Sequence, residues 1–278
     1  MSLGVLNNIA AIYAQNNITQ TQTSLQNTLQ QLSSGSRINT GADDAAGLAI
    51  ANGLAANVAA LTQSAQNALN GVGMLQTADG ALAQVTNLLN RAVTLATEAS
   101  NSTLNTAQLT AANTEFQSIV TEIGNIGTST NYNGNSVFSA TASSIVTTDG
   151  TTAGTTTFAP TVGVLTSTSI GGTAVTLGSD SLTTTTGAAT ALSDVTSAIA
   201  AVASQRGSIG ASINQLNAAS NVASTESVNL TSAESAITST DYAQATSNLA
   251  KYQVLSQTGI AALAQANSVQ QEVLKLLQ

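Results

Sequence analysis

The chain has 278 residues, a formal net charge of −8, only 6% charged and 3% aromatic residues, and neither His nor Cys. Five Lys and Arg side chains cannot build a broad phosphate-binding surface, which excludes nucleic acid as a partner. Without His and Cys there are no imidazole bases, thiol nucleophiles, zinc sites or disulfides, so no catalytic residue, metal or cofactor is expected.

The first residues lack a basic segment followed by an apolar core, so an extracellular role requires export without a cleaved signal peptide. No uninterrupted run of about 18 apolar residues exists, and no membrane span is expected. The low charge has a positive meaning. In a homopolymer each side chain meets copies of itself at fixed spacing, where like charges repel and neutral amides and hydroxyls do not. A surface rich in Gln, Asn, Ser and Thr therefore fits self-association.

Residues 3 to 33 read as a helix with no charged side chain. Leu3, Leu6, Ala10 and Tyr13 start a stripe, and Ile18, Leu25 and Leu32 continue it at intervals of seven, with Leu29 beside them. The stretch Leu32 to Ala51, LSSGSRINTGADDAAGLAIA, breaks the pattern and carries the first charges, Arg37, Asp43 and Asp44. Gly35 and Gly41 bracket a turn. Thr40 and Asp43 stand at capping-box spacing, which predicts a second helix starting there.

From Asp43 to about Ser100 one long helix is predicted. Its stripe runs through Leu54, Val58, Leu61, Ala65, Ala68, Val72 and Leu75, then Ala78, Leu82, Val85, Leu89 and Ala92. Gly71, Gly73 and Gly80 weaken it locally. A pattern this long points to a coiled coil or rod. The turn NSTLNT at 101–106 leads to a third helix with Leu109, Ala112, Phe116, Ile119, Ile123 and Ile126 on one face, ending near Gly127. The segment TNYNG at 130–134 predicts an Asn-Gly hairpin.

Residues 141 to 190 hold 24 Ser or Thr and seven Gly. Alternation around Phe158, Pro160, Val162 and Val164, with Gly171-Gly172 before Thr173 to Leu177, predicts a small β-rich insert; low-complexity disorder is the competing reading. The run Thr183 to Thr186 reads as loop. Asp149, Asp180 and Asp194 read as solvated loop acids.

Helical spacing resumes at Leu192 and runs through Val195, Ile199, Val202, Arg206, Ile209, Ile213 and Leu216, then Ala223, Leu230 and Ile237. Arg206 either pairs with a charge inside a bundle or snorkels. A last helix is predicted from about Asp241 to the end. Tyr252, Leu255, Gly259, Ala262, Ala266, Val269, Val273 and Leu276 form one stripe; Ile260, Leu263, Leu274 and Leu277 form a second. Two stripes require more than one partner helix. The fold class is therefore mainly α: a long rod-like helical bundle or coiled coil of paired N- and C-terminal segments with a small β-rich central insert. Neither arm is expected to be stable alone in water; both are expected to fold on assembly.

These motifs resemble bacterial flagellin. The resemblance rests on Leu32 to Ala51, on LNGVGMLQTADGALA at 69–83, on Asn101-Ser102-Thr103 and on Asn-Tyr-Asn-Gly at 131–134. Near the other end Arg206, Gly210, Ala211, Asn214 and Leu216 match RxxxGAxxNxL, and SVQQEVLKLLQ at 268–278 matches the family's terminal segment. It implies a structural subunit, not an enzyme, that polymerises into the extracellular flagellar filament used for swimming. The hook–filament junction protein of the flagellum is the alternative, with similar helical ends.

The implied organisation is an N-terminal arm and joint at 1–42, rod helices and hairpin at 43–140, a surface insert at 141–190, a returning rod helix at 191–240 and a C-terminal arm at 241–278. The arms would line the tube through Leu6, Tyr13, Ile18, Leu25, Leu29, Leu32, Tyr252, Leu255, Val269, Val273 and Leu276. Arg37, Asp43 and Asp44 would make subunit contacts. An export chaperone would cover Val273, Leu274 and Leu277 before passage through the type III export apparatus; filament cap and hook-junction proteins are further implied partners.

Recognition by a toll-like receptor is implied through Arg91, Leu95 and Glu115, although a second Arg common in the family is Val93 here. The alternative is that Arg91 and Glu115 form an inter-helix or inter-subunit ion pair. Two further departures are Ala42, where the family carries Lys, and Gln215, where it carries Arg. Some relatives carry a zinc protease in the insert, a chemistry that needs His and so is excluded.

Overall fold

The computed structural model describes residues 8–141 and 143–276, and side chains other than those of residue 270 and residues 272–276. Five helices dominate: α1 (Ile9–Ser34), α2 (Ala45–Ala99), α3 (Thr106–Ser129), α4 (Thr185–Thr238) and α5 (Tyr242–Leu276). Between α3 and α4 lie seven short strands: β1 (Asn131–Tyr132), β2 (Asn135–Ser136), β3 (Ile145–Thr147), β4 (Thr156–Phe158), β5 (Leu165–Thr166), β6 (Ser169–Ile170) and β7 (Thr173–Ala174). A 3₁₀ turn, Leu177–Ser179, follows them. The fold is mainly helical with a small strand-containing central region, as the stripes imply.

Local chemistry sets the helix ends. Asn8 caps α1, its side chain accepting from the Ala11 N–H at 3.0 Å. Gly35 closes α1 in the left-handed region at φ 71°. At α2 the expected start is corrected. Asp43 does not open the helix; its Oδ2 accepts from the Thr40 hydroxyl and from the Thr40 and Asn39 N–H groups, tying a separate turn. Asp44 is the cap, accepting from the Gly47 N–H at 2.8 Å, and α2 starts at Ala45. At α3, Asn105 and Gln108 form a reciprocal capping box at 3.0 Å in both directions.

The threonine run is likewise corrected. Thr184 caps α4 through its hydroxyl, which accepts from the Gly187 N–H, so Thr185 and Thr186 are helical and not loop. The helix therefore begins before Leu192, inside the segment predicted as insert.

All strand pairs are antiparallel. β1 and β2 form the predicted hairpin, with Asn133 and Gly134 at φ 50° and 81°, as a type I′ turn requires. β3 pairs with β4, aligning Ile145 with Phe158. β5, β6 and β7 form a three-stranded sheet, and Gly171-Gly172 turns the chain between β6 and β7.

The chain divides into two compact units. Residues Ala56–Val228 form one, with a contiguous apolar core. Leu75, Leu82, Val85 and Leu89 of α2 meet Phe116 and Ile123 of α3, and Val195, Val202 and Ile209 of α4. Leu165, Ile170, Leu177 and Leu182 of the central region join the same core. Alanines at 68, 78, 92, 188, 191 and 198 are fully buried within it, which brings the helices close together. Gly127 shows how close. A Cβ there would run into the Leu165 carbonyl, so only glycine lets β5 lie against α3. Arg206 does pair: its guanidinium donates to both Asp79 oxygens at 2.7 and 3.2 Å.

Met1–Ala55 and Asn229–Gln278 form the other unit. It pairs the two ends of the chain, as their apolar stripes demand. α2 and α4 are each long and apolar enough by length and composition to cross a membrane, with mean hydropathy of 1.4 and 1.2 over 18 residues, although neither holds an uninterrupted apolar run of that length. Abundant alanine raises these averages.

Candidate assembly surface

The end unit is built on the antiparallel pair α1 and α5. Asn8 Nδ2 donates to the Ala266 carbonyl, Ile18 lies against Gly259, and Gly35 accepts from the Thr240 N–H. The pairing thus runs antiparallel along the length of α1. Its inward positions are Ala11, Ala14, Ile18, Thr21, Leu25, Thr28, Leu32 and Gly35, alternating steps of three and four. Those of α5 are Ala245, Leu249, Tyr252, Ser256, Gly259, Leu263 and Ala266. The seam is lined mostly by small or hydroxyl-bearing side chains. Gly259 allows the closest approach; a Cβ there would stand 2.8 Å from Ile18 Cγ1.

The joint after α1 is stapled to the joint before α5. Ser36 and Ser239 form an isolated antiparallel bridge. The Arg37 N–H donates to the Thr238 carbonyl at 2.6 Å, and the Arg37 guanidinium donates to the Ile237 carbonyl at 2.9 Å. Ile38 is buried beneath. Hydrogen bonds from the Thr40 N–H, the Asn39 N–H and then the Thr40 hydroxyl hold the Asp43 carboxyl below its ordinary range. Arg37, Asp43 and Asp44 therefore all serve the chain's own turns; the acids are expected near a helix start, whereas the Arg37 contact to Ile237 is not anticipated.

The predicted arm residues fall into three groups. Ile18, Leu25, Leu32 and Tyr252 face the α1–α5 seam. Tyr13, Leu29, Leu255 and Val269 do not: they are exposed in the single chain. Leu6 and Leu277 lie outside the described residues, as do the side chains of Val273, Leu274 and Leu276.

Exposed apolar side chains concentrate on this unit. Among the described residues, Ile9, Ile12, Tyr13, Leu29 and Ile50 near one end and Tyr242, Val254, Leu255, Ile260 and Val269 near the other are exposed. The second unit exposes Leu69, Val146, Val222 and Val228. A groove of about 590 Å³ runs along the helix pair, lined by Ile18, Thr21, Ser24, Tyr252, Leu255 and Gly259 among others. α1 carries no charged side chain at all. Apolar area on a neutral surface, at more than isolated positions, marks an interaction site.

Arg91 and Glu115 bridge α2 and α3 with two hydrogen bonds at 2.7 and 3.0 Å. That hydrogen bond is the main cause holding Glu115 below its ordinary value. Leu95, predicted to share a surface patch with them, is 3% exposed and belongs to the core. It follows Ala92 by three residues and so continues the inward stripe of Leu89 and Ala92, which accounts for this.

Residues 5–143 match the family model of the bacterial flagellin N-terminal helical region, and residues 192–277 that of the C-terminal helical region. Flagellin 1 of Proteus mirabilis is 39% identical over 144 residues, covering 52% of this chain and 40% of that protein. Phase 1 flagellin of Salmonella naestved is 39% identical over 132 residues, covering 48% of this chain and 26% of that protein. The match thus spans less than half the length of either relative. A crystal structure of Bacillus cereus flagellin superposes with a TM-score of 0.47 at 28% identity, covering 56% of this chain and 88% of that one.

Proposed function

This chain belongs to the bacterial flagellin family, and we propose that it is a structural subunit that self-assembles into the helical filament of the extracellular flagellum and so serves swimming motility. The observation that carries this reading is the set of apolar side chains exposed on the outside of the α1–α5 pair, where α1 contributes no charge and Lys251 is the one charged side chain among those described on α5. A helix pair whose seam is largely small side chains and whose outside holds Ile, Leu, Val and Tyr leaves substantial area to be covered by copies of itself. Such area drives association, and the absence of charge on α1 removes like-charge repulsion between stacked copies.

In this reading residues 1–42 and 241–278 line the tube, 43–140 and 191–240 form the next shell, and 141–190 faces solvent. The stapled joints at Ser36 and Ser239 hold the two arms together where they leave the shell. Export through the type III apparatus, an export chaperone on the C-terminal arm, and the cap and hook-junction proteins are the partners this role requires. The Arg91–Glu115 bridge is an intrachain link between α2 and α3 in the first place. Receptor recognition at that patch requires native monomer to trigger a cell reporter and Arg91→Ala to silence it.

The test of assembly is seeded elongation. Purified chain extends filament seeds, and a chain lacking residues 242–278 does not. Normal elongation by the truncated chain would overturn the reading.

A further inference from the structure

The segment from Thr176 to Leu182 ties the central region to α3 and α4. Leu177 and Leu182 are fully buried in the core. The Leu182 N–H donates to Asn113 Oδ1 at 2.8 Å, and Gln117 Nε2 donates to the Asp180 carbonyl at 2.6 Å, so α3 holds the segment by two neutral amides. Between the two leucines sits Asp180, only 8% exposed, with its Oδ2 buried and lacking a hydrogen-bond partner. The charged group acting on it comes from α4: Asp194, whose Oδ2 accepts from the Thr176 hydroxyl. The α3 acid Glu115 is committed to Arg91, and the cation Arg206 to Asp79.

A buried carboxylate facing a second carboxylate with no cation in reach is unfavourable. We propose that Asp180 acts as a pH-sensitive latch on the segment 176–182, closed while its buried carboxyl is neutral and loosened when it ionises beside Asp194. In the closed form the buried Asp180 carboxyl keeps its proton near Asp194, whose Oδ2 takes the Thr176 hydroxyl. On opening the proton passes to solvent and two like charges remain. The latch concerns the single chain and does not depend on filament assembly.

Burial, then the neighbouring Asp194 charge, lifts the Asp180 carboxyl above its ordinary range to about 6. The native state then binds the proton more tightly than the opened one. Latch stability is highest below the ordinary carboxylate value and is lost as pH rises through about 6. For one group with these values, local opening becomes roughly tenfold more frequent between about pH 5 and pH 7.5.

Amide hydrogen exchange over residues 177–184 of the dispersed full chain, corrected for intrinsic rates, reads this directly. Protection falls about tenfold across that range in the parent chain and stays flat in Asp180→Asn. Asp194→Asn moves the midpoint downward, because burial persists and the like charge does not. A parallel carboxyl NMR titration of the parent chain needs no variant and puts the Asp180 midpoint near 6. Flat protection in the parent, an unchanged pH dependence in Asp180→Asn, or an Asp180 midpoint in the ordinary carboxylate range would each overturn the latch.

Discussion

Truncating Tyr13 separates the stability of the chain from its power to assemble. In the single chain 67% of the Tyr13 surface is in water, so Tyr13→Ala removes little from the fold. In the proposed filament that surface would be covered. Fully burying a large apolar side chain stabilises by about 1.5–3 kcal/mol, so covering the remaining two thirds is worth roughly 1–2 kcal/mol. Each 1.4 kcal/mol is tenfold in an equilibrium constant, so the critical concentration for elongation rises about 5- to 30-fold. Leu255→Ala, at 43% exposure, raises it by a smaller factor on the same reasoning. The assay is sedimentation of seeded filaments over a concentration series, with the melting temperature of the dispersed chain measured beside it. A critical concentration within twofold of the parent, or a melting temperature lowered by many degrees, would refute the assignment of this face to assembly.

Phe116→Ala acts oppositely: the ring is fully buried between helices, and its loss costs about 3–5 kcal/mol of stability in thermal melts of the dispersed chain. Arg206→Met costs less than about 1 kcal/mol, because both partners of its ion pair with Asp79 are 39% exposed and screened; the difference from the parent shrinks further in high salt. The joint responds to acid. The Asp43 carboxyl is held low by N–H donors, so its contribution is present above the ordinary carboxylate range and is lost as pH falls through the lowered value. Exchange at the Asn39 and Thr40 amides accelerates over that range in the parent chain, and Asp43→Ala removes the pH dependence.

The long helices were legible because their stripes are made of Leu, Val, Ile and Ala at a steady period, and nearly every predicted stripe residue from Ala68 to Ala92 is buried. The Asn-Gly hairpin was legible because its turn needs residues that tolerate positive φ. The seam of the end unit was not. There Thr21, Thr28 and Ser256 hold inward positions while Tyr13 and Leu255 look outward, so hydrophobic spacing finds Ile18, Leu25, Leu32 and Tyr252 and misses the rest of the seam. Spacing also misassigns the α2 cap, since Thr40 and Asp43 bond each other at capping-box distance one turn early. Partners remote in sequence leave no local trace at all. Arg206 reaches Asp79, Ser36 meets Ser239, and Asp180 faces Asp194 only because the helices bring them together.

The central proposal is that the α1–α5 pair is the part of the subunit that copies of the chain bury. Electron cryo-microscopy of filaments grown from the purified chain tests it most directly. The account predicts α1 and α5 in the innermost layer, with Tyr13, Leu255 and Ile260 against neighbouring subunits and residues 141–190 outermost. Filaments in which that helix pair remains solvent-exposed, with the subunits joined through the other unit, would contradict it.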